Sequence, residues 1–259
     1  MRFLQFFNTL WLILLFGTFV ACNDEEAGNA HLVVRLTDAP ADYQEVNIDI
    51  QSIEVHTSGS SSGWVELDNI SEGVYNLLDL TNGLSVVLGE GEIPAGKISQ
   101  IRLILGDNNT LKTEGQVHDL TTPSAQQSGL KLQMHNTLAA GITYEVLLDF
   151  DAARSVVETG SGSFNLKPVI RAIAEAQDGA IAGSVLPLEA SPAVYAIQGS
   201  DTITSAFTNN NGDFLLSGLD TGSYTVGIEP ADEYQEISLT DVQVSIGQVT
   251  DVGTVQLSQ

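Results

Sequence analysis

Apolar and polar residues alternate with a period of two along most of the chain after residue 30, the spacing that turns one face of a β-strand toward a core. His31 to Thr37 is the first such run, with Leu32, Val34 and Leu36 on one side and Val33, Arg35 and Thr37 on the other. Thr37-Asp38-Ala39-Pro40-Ala41-Asp42 ends it, because Pro40 lacks an amide hydrogen and biases Ala39 away from helix. Val46, Ile48 and Ile50 resume the alternation, which then slips one place to Ile53 and Val55. A β-bulge at Gln51 and Ser52 is the simplest way to keep both sets inward. The polar run Thr57 to Gly63 predicts a hairpin loop, and Trp64-Val65-Glu66-Leu67 restarts the sheet.

Further on, Val74 to Leu80 and Leu84 to Leu88 are short apolar runs split by the turn signal Asn82-Gly83. Ile98 to Leu105 predicts a strong strand with Ile101, Leu103 and Leu105 inward and Arg102 opposite, closed by a turn at Asp107-Asn108-Asn109. Short strands follow near Val117 to Leu120 and Leu130 to Gln133. Ile142 to Phe150 has the clearest pattern, with Tyr144, Val146, Leu148 and Phe150 on one face. Asp151 is placed to cap one helical turn over the residues that follow it. Ser163 to Leu166 and Val169 to Ile173 complete residues 31–175 as one β-sandwich, and a strand-poor stretch from Glu175 to Gly179 predicts a linker. Residues 178–259 read as a second unit able to fold alone. No amphipathic helix of ten or more residues is visible, so the predicted fold is all-β, with two β-sandwich domains in tandem.

Charge sharpens this division. The chain carries a net charge of −24, and all nine Lys and Arg lie at or before Arg171. From Asp178 to Gln259 there are eleven Asp and Glu and no Lys or Arg. A uniformly negative segment repels nucleic acid and anionic headgroups, which makes both poor partners. It suits a soluble extracellular surface, the attraction of divalent cations or a saline habitat.

The N-terminus indicates where such a chain resides. Met1-Arg2 is followed by the apolar run Leu10 to Phe16, the length of a signal-peptide h-region and too short to span a bilayer. Gln5, Asn8, Thr9 and Thr18 interrupt any membrane-length window. Phe19-Val20-Ala21-Cys22 then leads into Asn23-Asp24-Glu25-Glu26. A lone cysteine at this place resembles a bacterial lipobox, although Phe19 stands where Leu is usual. The resemblance implies a signal peptide over residues 1–21, a lipidated Cys22 and an acidic spacer over 22–30. It further implies anchoring in the outer membrane or at the cell surface of a Gram-negative envelope. The acids after Cys22 also resemble the surface-export signal of Bacteroidetes lipoproteins.

Candidate chemistry is sparse. His31, His56, His118 and His135 are far apart, without the spacing of a zinc site. Gly59-Ser60-Ser61-Ser62-Gly63 has the form of a nucleophile elbow but precedes a strand where that motif needs a helix. Asp149 and Asp151 share a strand face, as calcium ligation requires; no other cofactor is indicated. Surface acids and a helix cap account for the same two residues. Asn209 to Asp213 resembles part of a calcium loop but reads more simply as a turn. Arg35, Arg102 and Arg171 sit mid-strand, where cross-strand pairing with Asp49, Glu54 or Glu145 is expected. Trp64 and Tyr234 are the candidates for exposed aromatic platforms.

Two resemblances to families complete the reading. Leu36-Thr37-Asp38-Ala39-Pro40, Ile101-Arg102-Leu103, Leu148-Asp149-Phe150-Asp151-Ala152 and Leu166-Lys167-Pro168-Val169 are similar to the domain-of-unknown-function 4382 family over about residues 30–175. That family lends a domain boundary and no activity. Ala180 to Val185, Thr208-Asn209-Asn210-Asn211-Gly212-Asp213-Phe214 and Leu219 to Val226 resemble the carboxypeptidase regulatory-like domain. This second resemblance implies a transthyretin-like, seven-stranded sandwich over residues 178–259, an accessory module of extracellular proteins. The expected function is a non-catalytic envelope lipoprotein serving binding, adhesion or assembly, with a glycan or an envelope protein as partner. The alternative is an accessory subunit for extracellular glycan or peptide processing.

Overall fold

A computed structural model describes residues 28–122, 129–231 and 233–259. The first fourteen strands are β1 (Asn29–Ala39), β2 (Glu45–Thr57), β3 (Trp64–Glu66), β4 (Asn69–Ile70), β5 (Gly73–Asn76), β6 (Val86–Pro94), β7 (Gly96–Leu105), β8 (Thr110–Thr113), β9 (Gln116–Thr121), β10 (Leu130–Leu138), β11 (Thr143–Asp151), β12 (Val156–Glu158), β13 (Phe164–Leu166) and β14 (Ile170–Ala176). They form two sheets. One is five-stranded in the order β14-β11-β1-β6-β4; the other runs β10-β7-β2-β8-β9-β13-β12, with β3 and β5 also on β2. A short α-helical turn, α1 (Ala152–Ser155), follows β11, and the Asp151 carboxylate accepts from the Arg154 amide at 3.0 Å, the predicted cap.

The alternation in the sequence accounts for the core. Leu32, Val34 and Leu36 from β1 and Val146, Leu148 and Phe150 from β11 face Ile48, Ile53 and Val55 from β2 and Ile101 and Leu103 from β7, all buried. Strand β2 organises the larger sheet. It pairs with β5 and β3 along one edge and with β8 and β7 along the other. The register shift between Ile50 and Ser52 on β2 leaves Gln51 exposed, which is the bulge expected from the slipped pattern. Strand β1 runs on to Ala39 rather than breaking at Thr37. Parallel pairing with β11 continues to Ala39↔Asp151, one residue short of Pro40.

The other seven strands are β15 (Gly179–Leu186), β16 (Ala193–Gln198), β17 (Asp201–Phe207), β18 (Asp213–Leu219), β19 (Gly222–Glu229), β20 (Ile237–Val244) and β21 (Val249–Gln256). They form a sheet of three, β18-β15-β21, and a sheet of four, β17-β16-β19-β20. Ile181, Val194, Phe214, Leu216, Tyr224 and Val226 pack between them. Where the sequence predicts a linker, only Gln177 and Asp178 separate β14 from β15, and both are tied down. The Gln177 amide donates to the Thr143 carbonyl (2.8 Å), and the Thr143 amide donates to the Asp178 carboxylate (2.7 Å). Ala180 is buried in the first core, and Leu215 and Val249 pack against it.

Two carboxylates are buried in the first core. Asp49 does not meet an arginine, contrary to expectation. It accepts from Gln51 Nε2 (2.6 Å), the Asn108 amide (3.1 Å) and Asn108 Nδ2 (2.8 Å), while Asn109 Oδ1 accepts from the Asp49 amide (2.9 Å). This network shapes the Asp107-Asn108-Asn109 turn, since Asn109 Nδ2 also donates to the Gly106 carbonyl at 2.7 Å. Asp38 occupies the inward position of β1 after Leu36. One of its oxygens accepts from the Ala152 amide (3.0 Å), and the other is buried without a partner. Burial raises its pKa from 3.8 to about 6, and the nearby Asp151 and Asp149 charges add to the rise.

Two predictions follow from these carboxylates. Asp49→Ala strips the turn of a buried acceptor and should lower the urea-unfolding free energy by about 2 kcal/mol, while Asp49→Asn should cost less. Asp38 gives a pH signature. Its folded-state pKa exceeds that of the unfolded chain, so its contribution is fully present below about pH 4 and is lost as pH rises through about 6. The stability of Asp38→Asn minus that of the unsubstituted protein should therefore grow by about 2 kcal/mol from pH 4 to pH 7. Parallel profiles in urea titrations at these pH values would contradict it.

Candidate functional site

The aromatic candidates come first. Trp64 opens β3 directly after the Ser58–Gly63 loop and pairs across from His56 on β2. Its half-buried ring is not a free platform. The Arg102 guanidinium lies 4.0 Å from the ring centroid, and the His56 ring meets it edge-on at 5.0 Å and 78°. A cation over an indole contributes about 0.5–2 kcal/mol, more as the pair is desolvated. Arg102 is also ion-paired with Glu54, its direct neighbour across β2 and β7. His56 Nδ1 lies 2.8 Å from Ser99 Oγ, and Gly63, at φ +78°, sits so close that a Cβ there would lie 2.8 Å from His56 Nε2. The row Glu54, Arg102, Trp64, His56 and Ser99 is thus a self-contained cluster on one sheet face. It holds a serine beside a histidine, but no carboxylate is bonded to the other ring nitrogen among the described residues, so no triad is formed. Tyr234 is half-buried against the second core, and the structure does not bring it together with Trp64.

Asp149 and Asp151 do share a face, as predicted. Each has a committed partner there. Arg171, directly across on β14, is ion-paired with Asp149. Asp151 caps α1 and lies 3.8 Å from the Arg154 guanidinium. A small cleft of about 190 Å³ separates these side chains, lined by Ala39 and Val169 as well. Among the described residues no three His, Cys, Asp or Glu side chains gather as metal ligands. Asp42 is exposed in the turn after β1. Arg35 faces Glu145 at 3.9 Å, so all three mid-strand arginines have a carboxylate neighbour.

The remaining motifs fall into local structure. Ser62 Oγ donates to the Trp64 carbonyl (2.7 Å) within a loop that leads into β3, not into a helix. Asn209 Oδ1 accepts from the Asn211 and Asp213 amides (2.8 and 2.9 Å), and Gly212 has φ +84°, which makes this segment a turn. His31 meets Glu92 at 3.1 Å, and the His118 ring packs against Phe164 at 4.9 Å, tilted by 59°. Cys22 lies outside the described residues. No described helix is long and apolar enough to cross a membrane.

Two surface features were not legible in the sequence. A groove of about 880 Å³ runs between Gly28 and Ala140 on one side and the outer face of β18-β15-β21 on the other, with Ser184, Asp213, Asp251 and Thr254 on its walls. Alternation marks these residues only as outward-facing; the groove exists because the two units meet. The second feature is the outer face of β17-β16-β19-β20, where Phe207 is 78% exposed. An exposed phenylalanine in a period-two run looks the same in sequence as a buried one.

Comparison with known proteins places part of this architecture. No curated protein matches the chain. Solved structures similar to it include a type II cohesin–X-dockerin complex from Acetivibrio cellulolyticus, at 22% identity and TM-score 0.26, covering 30% of this chain and 56% of that one. The minor pilin of Streptococcus agalactiae is 13% identical at TM-score 0.24, covering 90% and 96%. A fimbrial protein from Bacteroides ovatus is 12% identical at TM-score 0.25, covering 89% and 50%. This chain therefore spans little more than half of the cohesin–dockerin chain, and at these scores the likenesses carry no functional argument. The sequence profile of one family does carry weight. It matches residues 29–168, from the first residue of β1 to the residue pair before β14. The chain belongs to the family described as Domain of unknown function (DUF4382).

Proposed function

We propose that the protein is a lipid-anchored, non-catalytic module of the bacterial envelope that binds, adheres or assembles through its sandwich faces. Cys22 would carry the anchor at the outer membrane or cell surface, after removal of residues 1–21. Residues 31–175 would form one domain and residues 178–259 a second, of carboxypeptidase regulatory-like type. A glycan or an envelope protein would be the partner.

The observation that best supports this reading is how the first unit uses its charges. Arg35, Arg102 and Arg171 each face a carboxylate on a neighbouring strand, and Asp151 is occupied by α1. General acid–base chemistry needs groups poised to give up or accept a proton in a cleft. Here these residues are engaged with one another across strands or with α1, an arrangement suited to recognition by shape and charge.

Two measurements test the proposal. Radioactive palmitate should label the protein, and Cys22→Ser should abolish the label and release the protein from membranes; undiminished labelling refutes the anchor. The mature chain on a sensor should retain components of a glycan array or of solubilised envelope protein without altering them. Release of a cleaved product from a retained component refutes the non-catalytic reading.

A further inference from the structure

The outer face of β17-β16-β19-β20 departs from the pattern of the first unit. Ile203, Ser205 and Phe207 alternate with Thr204 and Ala206, so the first three turn outward. Phe207 is 78% exposed and Ile203 46%. Phe207 pairs across β16 with Ala193, which pairs in turn with Glu229 on β19, so the three lie in one row. At two strand spacings, Glu229 is about 10 Å from Phe207. The next rows hold Ser205, Tyr195 and Gly227, then Thr202, Ile197 and Thr225. Ile197 leans over Gly227, and Tyr195 is half-open to solvent with its hydroxyl hydrogen-bonded to Glu229. Strand β17 is also an edge strand, and Ile203 is the additional residue of a bulge against Ala196 and Ile197. A bulge blunts an edge against strand addition, so the open sheet face rather than the backbone edge is the available surface.

Charge decides what this face accepts. Glu229 at the rim and Asp201 at the start of β17 are exposed, and no Lys, Arg or His occurs from residue 178 to the end to neutralise them. A second copy would bring two uncompensated negative surfaces together, and an anionic lipid surface would be repelled. A cationic partner gains from both the apolar centre and the acidic rim, the combination typical of an interface hot spot.

We propose that this face, with Phe207 as anchor, Tyr195 and Ile197 beside it and Glu229 at its rim, docks a basic protein segment. An apolar side chain of the partner packs on Phe207, and a Lys or Arg pairs with Glu229. This rests on the reading of the protein as a binding module and names the surface that does the binding.

The probe is a displayed library of random twelve-residue peptides selected against the mature chain, followed by affinity titration of the recovered peptides. The recovered peptides should be net positive and carry an apolar residue. Phe207→Ser leaves the charge unchanged and removes an exposed side chain, so folding should be retained; it should weaken binding tenfold or more. Glu229→Gln should weaken binding several-fold and flatten its salt dependence. Val117→Ser, which removes another exposed apolar side chain on β9, should change nothing. Recovered peptides without excess Lys or Arg overturn the proposal, as does equal binding by Phe207→Ser or an equal loss in Val117→Ser. So does a sedimenting dimer that Phe207→Ser dissociates, because a second copy would then be the occupant. Peptides that bind regardless of Phe207 overturn this face alone and leave the binding-module reading standing. A library that yields no binder overturns the docking face, and the retention assay then judges the broader reading.

Discussion

The parallel ladder between β1 and β11 is the contact on which the first sandwich depends. It joins His31 to Thr143 and Ala39 to Asp151, and it places the first described strand in the interior of its sheet, with β6 on its other edge. An interior strand needs an unbroken apolar inner face, which Leu32, Val34 and Leu36 supply. Asp38 is the one departure, and it falls where the ladder ends and the Ala152 amide is within reach. β11 then seats β14 antiparallel along its free edge. Thr143, its first residue, also binds Gln177 and Asp178, so the same ladder fixes how the chain leaves the first unit.

The two units solve the problem of their outer faces differently. In the first, each mid-strand arginine lies within reach of a carboxylate, so the charges at these three places are compensated pair by pair. Each pair contributes little stability at an exposed site, on the order of 1 kcal/mol or less. Their effect is local: each cancels the charge of one mid-strand arginine. The second unit has no cation to use in this way, and its outer sheet surface combines uncompensated acids with exposed apolar groups.

How much of this was legible in the sequence depends on whether a feature is local. The slip from Ile50 to Ile53 gave away the bulge at Gln51, because a break in period two has few other causes. Asp151 was legible as a cap for the same kind of reason: a short polar side chain before a helical turn has a strong local preference. Partnerships between strands were legible only in part: Glu54 and Glu145 do meet mid-strand arginines, as expected. Alternation says which face a residue takes and nothing about its neighbour, so Asp49 was assigned to an arginine although it binds Gln51 and Asn108. Trp64 looked exposed beside a Ser/Gly loop, yet Arg102, nearly forty positions away, lies over it. The Glu175 to Gly179 stretch reads as a linker because it lacks a strand pattern and lies where the basic residues stop. In the fold those residues finish one strand and begin the next.

The pairing of β1 with β11 also has a kinetic consequence. One whole edge of β1 stays unsatisfied until residues 143–151 are available, over a hundred positions later. Closing so large a loop is entropically costly, and chains dominated by distant contacts fold slowly. The antiparallel partner β6 arrives sooner but completes only half of the strand's hydrogen bonding. Until the chain is synthesised past β11, the first sheet therefore lacks its central pairing, and β1 has β6 alone as a partner.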